Sequence, residues 1–330
     1  MFHLISMIKI ILVLFFQHLL IKSSWCDITE NTFREYTPRN QNDLLGIQQR
    51  LQSLLPEVKK SLVAIEAGDG AGSGVIISED GLILTAAHVI GKTGKKMHVR
   101  LPNGKKLPAI SLGGSEISDA GMLKITKKGK WPYAKIAPAD KSTVGDWCFA
   151  IGHPGGFDKD RGVVVRLGRV IAKVDETLQS DSRLLGGDSG GPLLNFDGEV
   201  IAIHSRISEK SDQNFHVPIE CFHTNWEFYK SEEILSLKKI SEMGFLGVGC
   251  EKINSGLKII DIVENSAAEN SGFKKNDILL TVNGEKLDSM EELTILISKN
   301  IPGDSILLEF LRDEKLLSEK VILGERPKKE

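Results

Sequence analysis

From Ser61 to about Ile219 the chain alternates short apolar runs with turn residues: SLVAIEA, GSGVIIS, LILTAAHVI, MHVRLPNGKKLPAIS, AGMLKIT, DWCFAIG, RGVVVRLGRVIAKV, GEVIAIHS and FHVPIE. Runs this short, bounded by Gly, Asp and Asn, predict strands, and so many in series predict a β-barrel or sandwich. The texture then changes. ECFHTNWEFYKSEEILSLKKISEM is charged, holds helix formers and lacks Gly and Pro, which predicts a helical linker over 221–242. A further unit fills 243–324, ahead of a tail at 325–330. There LKIIDIVENSAAENSGFKKNDILLTVNG predicts two β runs flanking a short helix closed by Gly272, with a hairpin turn at Asn283-Gly284. SMEELTILISK then predicts a helix, and SILLEFLRDEKLLSEKVIL two strands joined at RDEK.

Residues 27–60 are polar, but Leu44, Ile47, Leu51 and Leu54 have helical spacing and predict a short amphipathic helix leading into the first domain. The first 26 residues differ again: Lys9 precedes the apolar run Ile10 to Phe16, and Gln17 and His18 interrupt it before Leu19-Leu20-Ile21. This reads as an export signal cut near Ser24-Trp25-Cys26, so that the mature chain starts near Asp27 outside the cytoplasm. A membrane anchor is the weaker alternative, since an uninterrupted span needs about 20 apolar residues.

With 330 residues, 41% hydrophobic and 26% charged, the chain has room for about two globular domains. A net charge of −2 gives no ground for nucleic-acid binding, and the run Lys127 to Lys130 reads as a solvated loop. Loss of Cys26 with the signal would leave Cys148, Cys221 and Cys250, an odd set that argues against a disulfide framework. No cofactor and no metal is expected.

Breaking an amide with a serine hydroxyl needs an imidazole base, a carboxylate that orients it, and donors for the oxyanion. In LTAAHVI an apolar strand runs into small residues and then His88, placing the imidazole at a strand end. Asp119 stands in ISDAGMLKI just before another strand. Alone, His88 reads as structural and Asp119 as a turn residue. Ser189 stands in GGDSGGP, where glycines on both sides permit a tight backbone that presents the hydroxyl and gathers N–H groups. No Lys-Ser/Thr of a phosphate-binding loop accompanies it. The order His, Asp, Ser within one β domain joins the three into a candidate triad.

GSGVIISEDGLILTAAHVI, SDAGMLKI, GDWCFAIGHPGG, GDSGGPLLNFDGEVIAIHS and FHVPIE together resemble the protease domain of the HtrA/Deg family of envelope serine proteases, and the following unit resembles that family's PDZ domain. The resemblance spans about Ser61 to Leu323. It implies a mainly β fold: a chymotrypsin-like double β-barrel over 61–220, then a small α+β PDZ domain. It further implies His88 as general base and acid, Asp119 as its orienter, Ser189 as nucleophile, and the N–H groups of Gly187 and Ser189 as oxyanion donors. Leu184 and Ile207 would line a small apolar pocket selecting Val, Ala, Ile or similar residues before the scissile bond. Phe245, Leu246, Gly247 and Val248 would bind a peptide C-terminal carboxylate while the adjoining strand pairs with the peptide. The implied partners are unfolded or misfolded proteins, peptide C-termini and two further copies of the chain in a homotrimer; the implied location is the periplasm or cell envelope, with an inner-membrane anchor through 1–26 as the alternative.

Some residues depart from that pattern. Many members of the family have Asn where Asp188 stands; trypsin-like enzymes have Asp there, paired with an amino terminus freed by activation. Here the barrel opens with KKSLVAIEAG and Val89 follows His88, so that apparatus is missing and Asp188 is expected to meet a local donor, a backbone N–H or an arginine such as Arg183 or Arg206. His153 and His204 replace small or amide residues and are expected to perturb the pocket. The short segment from Ile65 to Gly72 and the single PDZ domain favour a trimer over large cages. The rival reading is a peptide-binding chaperone or adaptor with an inactive barrel, against which the three intact triad positions weigh.

Overall fold

The computed structural model describes residues 37–327 apart from 68–69, 175 and 208–213; the proposed export segment lies outside these residues. The amphipathic stretch forms helix α1 (Gln41–Val58). Asn40 caps it by accepting the N–H groups of Asn42 and Asp43, while the Asp43 carboxylate reaches back to Asn40 N–H. Ile47 is buried, Leu51 and Leu54 pack beside it, and Arg50 Nε donates to the Phe196 carbonyl at 2.8 Å, so the apolar stripe docks on the second barrel.

The first barrel contains β1 (Leu62–Ala67), β2 (Gly70–Ile76), β3 (Leu82–Ala86), the short helix α2 (Ala87–Ile90), β4 (Lys96–Arg100), β5 (Lys106–Ser115) and β6 (Ala120–Ile125). Its order is β5-β4-β1-β2-β3-β6, closed by β5 against β6. The second barrel contains β7 (Trp147–Gly152), β8 (Val164–Val174), β9 (Thr177–Ser180), β10 (Pro192–Asn195), β11 (Val200–Ile207) and β12 (Asn214–Pro218), closed in the order β10-β11-β12-β9-β8-β7. The apolar runs that predict strands are the ones that fill the interior: β3 is buried throughout, and on β4 Met97 and Val99 are buried beside exposed Lys96 and His98. Leu84 and Met122 of the first barrel pack with Phe149, Ile151 and Leu194 of the second, so the apolar seam between the barrels fixes the cleft above it.

Beyond Pro218 the chain forms α3 (Ile219–Thr224), α4 (Trp226–Lys230), β13 (Ile234–Leu235) and α5 (Leu237–Glu242). This stretch is helical but broken, because β13 adds in parallel to Gly114–Ser115 of β5. Gly113 permits the approach: a Cβ there would lie 2.8 Å from the Phe228 and Tyr229 carbonyls. The second domain follows with β14 (Val248–Ile253), β15 (Gly256–Ile262), α6 (Ala267–Asn270), β16 (Ile278–Val282), β17 (Glu285–Lys286), α7 (Met290–Ile297), β18 (Ser305–Arg312) and β19 (Lys315–Ile322). The sheet order is β14-β15-β16-β18-β19, which leaves one edge of β14 unpaired among the described residues. Asp313 (φ 50°) and Glu314 (φ 62°) form the two-residue turn inside RDEK.

Candidate active site

β3 runs buried from the first barrel to the cleft, and the chain turns at once into α2, whose second residue is His88. So short a helix is held from outside: Ala87 N–H donates to the Asp119 carbonyl at 2.8 Å and His88 N–H to Asp119 Oδ1 at 3.0 Å. Asp119 ends the β5–β6 turn with φ 62°, a left-handed conformation that aspartate tolerates better than most residues. His88 Nδ1 lies 2.9 Å from Asp119 Oδ2. The hydrogen bond and charge of Asp119 raise the His88 pKa above its ordinary 6.5 despite burial. Burial alone would push the Asp119 carboxyl up, but the bonds from His88 and Ser205 outweigh it and hold it below the usual value.

Ser189 comes from the second barrel, in the loop before β10, and its carbonyl accepts Ser73 N–H of the first barrel at 2.8 Å. Gly190 next to it has φ 87°, and a Cβ there would collide with the Ser73 carbonyl and the Thr85 hydroxyl. Only glycine lets the loop approach that closely. Ser189 Oγ donates to the Ser205 carbonyl at 3.3 Å, and among the described residues it forms no hydrogen bond with His88. Ser205, missed in the sequence, therefore touches both halves of the site: its Oγ also donates to Asp119 Oδ2 at 2.6 Å. No alternation along β11 marks it, since Val200 to Ser205 are all buried and the β11–β12 register shifts between His204 and Arg206.

Within the nucleophile loop, the Gly186 carbonyl accepts Gly155 N–H at 2.7 Å and the Gly187 carbonyl accepts Ser73 Oγ at 2.8 Å. Asp188, Gly190 and Gly191 spend their N–H groups on backbone carbonyls. Those of Gly187 and Ser189 donate to no acceptor among the described residues, so they remain available for an oxyanion.

Asp188 is buried, and its partner is neither Arg183 nor Arg206 but Arg166 of β8, whose Nη1 lies 3.0 Å from Asp188 Oδ2. Leu185 N–H donates to the same oxygen at 2.8 Å. Gly152 makes room, since a Cβ there would strike Asp188 Oδ1. Arg206 stacks on Phe215 instead, its Cζ 5.5 Å from the ring centroid.

Leu184 is 5% exposed and Ile207 52% exposed, one in the barrel wall and the other on its rim. Asn214 connects them: it pairs with Ile207 across β11–β12, and its Oδ1 accepts Leu184 N–H at 2.9 Å. Behind this wall, Ser180 Oγ lies 2.7 Å from His216 Nε2, and His216 Nδ1 3.0 Å from His204 Nδ1. Burial pushes both imidazoles down, His216 to about 3, so the pair is neutral and acts as a hydrogen-bonded spacer. His153 is also buried, and burial with the Arg161 charge lowers it to about 4.

In the second domain Gly247 has φ 84°, and a Cβ there would run into the Ser266 side chain. The Leu246 and Gly247 carbonyls are taken by Ala268 N–H (2.8 Å) and Val263 N–H (2.9 Å), whereas the N–H groups of Leu246 and Gly247 have no acceptor among the described residues. They border a cavity of about 210 Å³ that Met290, Leu293 and Ile297 make apolar and Arg326 makes cationic. Elsewhere among the described residues, one group of side chains has metal-ligand spacing: Glu176, Cys221 and Glu291 place donor atoms within 4.8 Å of one another. Of these, the Glu291 carboxylate already accepts hydrogen bonds from three donors of the protein.

A trypsin-like peptidase domain family matches residues 72–203, and a PDZ domain family matches 244–323. The chain is 30% identical to a probable periplasmic serine endoprotease DegP-like of Chlamydia pneumoniae over 91% of its own length, spanning 62% of that protein. It is 31% identical to the DegP-like endoprotease of Ectopseudomonas mendocina over 78% of its own length and 56% of that protein. Among solved structures it is similar to a serine endoprotease from Yersinia pestis (TM-score 0.53, 24% identity, 88% of this chain and 100% of that one). It is likewise similar to the HtrA-type protease AlgW with tripeptide (TM-score 0.57, 21% identity, 84% and 98%).

Proposed function

The chain, a trypsin-like peptidase domain joined to one PDZ domain, belongs to the HtrA/Deg family, and we propose that it is a serine endopeptidase in which His88, Asp119 and Ser189 form the triad. The observation that carries this reading is the His88–Asp119 pair, 2.9 Å apart, joined through Ser205 to Ser189 in a loop with two unspent N–H groups. Asp119 accepts from Nδ1 and so leaves Nε2 as the base that takes the Ser189 proton when its hydroxyl attacks a carbonyl. The imidazolium formed is stabilised by the same carboxylate and returns the proton to the leaving amine. The Gly187 and Ser189 N–H groups would hold the oxyanion, a contribution of about a hundredfold or more per donor in comparable sites. A water then attacks the acyl-enzyme by the same route in reverse.

The cleavage preference we propose is for small aliphatic residues, supported by the apolar Leu184 wall and the Ile207 rim. The substrates proposed are unfolded or misfolded proteins, held by C-termini at Phe245–Val248, where unspent N–H groups and an apolar cavity meet an unpaired strand edge. Segment 61–220 would act as the protease domain, 221–242 as linker and 243–324 as the PDZ domain. A homotrimer and a periplasmic or envelope location complete the proposal, the latter from the apolar first 26 residues and the naming of the relatives.

The deciding experiment is labelling of the chain with a fluorophosphonate, alongside cleavage of an unfolded model protein. Wild type should be labelled and should cleave; Ser189→Ala should do neither while keeping its circular dichroism. Cleavage that survives in Ser189→Ala would end the reading.

A further inference from the structure

The turn carrying Asp119 is touched by the other domain. Glu291 lies in the first turn of α7, a place where acidic side chains ordinarily face water, yet it is 2% exposed. Its Oε1 accepts from Ser118 Oγ at 2.8 Å, and its Oε2 from Asn225 Nδ2 and Tyr229 O–H, both at 3.0 Å. All three donors belong to the first domain and its connecting helices, all are neutral, and no described salt bridge includes Glu291. Tyr229 and Phe222 beneath it are fully buried and pack edge to face, so the floor of this contact is rigid.

Burying a carboxylate without a cation is costly, and an apolar contact of equal size would dock the domains at least as firmly. What a carboxylate adds is direction. Ser118 precedes the one triad residue with a left-handed backbone, a conformation that lasts only where its surroundings over-determine it. Ser115 Oγ holds the turn from within by accepting Ile117 N–H (3.2 Å) and Ser118 N–H (3.4 Å), while Ala87 and His88 hold Asp119 from the first barrel. Glu291 holds it from the second domain. Ile117 of the same turn also borders the cavity at Phe245–Val248.

We infer that Glu291 is a positioning residue for catalysis: by fixing Ser118 it sets the Asp119 carboxylate that orients His88, so that the second domain supports the triad of the first. This rests on the triad reading above. Glu291 does not touch substrate; it acts through Ser118.

The test uses the full chain and four variants, Ser118→Ala, Glu291→Ala, Glu291→Gln and Tyr229→Phe, with kcat, KM and the pH profile of kcat/KM measured on one peptide substrate and folding checked by urea denaturation. Glu291→Ala and Ser118→Ala should each lower kcat about tenfold or more with KM nearly unchanged, because a misplaced orienter weakens the transition state rather than ground-state binding. Both should move the acid limb to lower pH, since His88 loses part of its carboxylate partner, and their effects should not add in the double variant. Glu291→Gln, whose amide oxygen still accepts from Ser118, should recover part of kcat. Tyr229→Phe, which removes a 3.4 Å contact with the Ser118 hydroxyl but keeps the 2.8 Å Ser118–Glu291 bond, should keep the wild-type acid limb. If Glu291→Ala does not fold, Ser118→Ala, which lies wholly in the first domain, decides. Folded Ser118→Ala with wild-type kcat and acid limb would overturn the inference while leaving the protease reading standing; a wild type that neither cleaves nor takes fluorophosphonate would sink both.

Discussion

Arg166 and Asp188 form an ion pair inside the second barrel, Nη1 to Oδ2 3.0 Å, with Asp188 fully buried and Arg166 15% exposed. Asp188 immediately precedes Ser189 and its N–H donates to the Leu185 carbonyl, so the pair anchors the loop in which the Gly187 and Ser189 N–H groups have no acceptor among the described residues. Burial pushes the Asp188 pKa up more than Leu185 N–H and Arg166 bring it down. Removing one member should strand the other in the barrel, at a cost of about 3 to 5 kcal/mol. Arg166→Met is therefore expected to unfold at markedly lower urea and to lose fluorophosphonate labelling, and adding Asp188→Asn should restore much of both. A single Arg166→Met with unchanged urea midpoint would show that the pair does not support the loop.

Ser205 should matter out of proportion to its size. Its hydroxyl donates to the charged oxygen that also faces His88 Nδ1, and hydrogen bonds to charged groups are worth about 1.5 to 3 kcal/mol. Ser205→Ala should then cost roughly tenfold or more in kcat/KM, while its carbonyl, which accepts from Ser189, remains. A change below about twofold would mean that His88 alone is enough to hold Asp119.

The pH dependence follows from the same pair. His88 must be neutral to act as base, and its pKa lies above 6.5, so kcat/KM should rise with pH through a limb above that value. Asp119→Asn should move the limb down and lower the plateau by roughly ten-thousandfold. For stability the signs differ. The raised His88 pKa means that its contribution is full below the unfolded value of about 6.5 and is lost as pH rises through the folded one. The lowered Asp119 pKa means that its contribution is present above about 3.9 and is lost as pH falls through the folded value. The pair should stabilise the fold most between these limits, which urea midpoints at several pH values would show.

The strands were legible because short apolar runs, such as Leu82–Ala86, which is buried throughout, are bounded by turn residues that mark their ends. The candidate triad was legible because each member lies in a short local motif. The residues that support it were not. Arg166 of β8 meets Asp188 in the loop before β10, and Glu291 meets Ser118 across 173 positions, so neither carries a local signal. Gly152 was the nearest hint to the first contact, a missing Cβ whose space Asp188 Oδ1 fills. The partners of His204, His216 and through it Ser180, come into view only once β11, β12 and β9 lie side by side.

Arg326 sits in the tail that begins at 325, and it borders the cavity at Leu246 and Gly247, with its Cζ 4.7 Å from the Phe245 ring centroid. Stacking on Phe245 keeps the guanidinium at the mouth of a cavity whose N–H groups suit an anion, so the charge adds to them without blocking the apolar floor of Leu293 and Ile297. Two consequences separate this role from simple packing. Arg326→Ala should weaken binding of a peptide with a free C-terminal carboxylate about three- to tenfold, the scale of a partly exposed charge contact, and the loss should shrink in high salt. The same peptide amidated at its C-terminus should bind weakly to wild type and equally weakly to Arg326→Ala. Fluorescence anisotropy on the full chain reads both, and an Arg326→Ala loss that is the same for the free and amidated peptides would assign the side chain to packing alone.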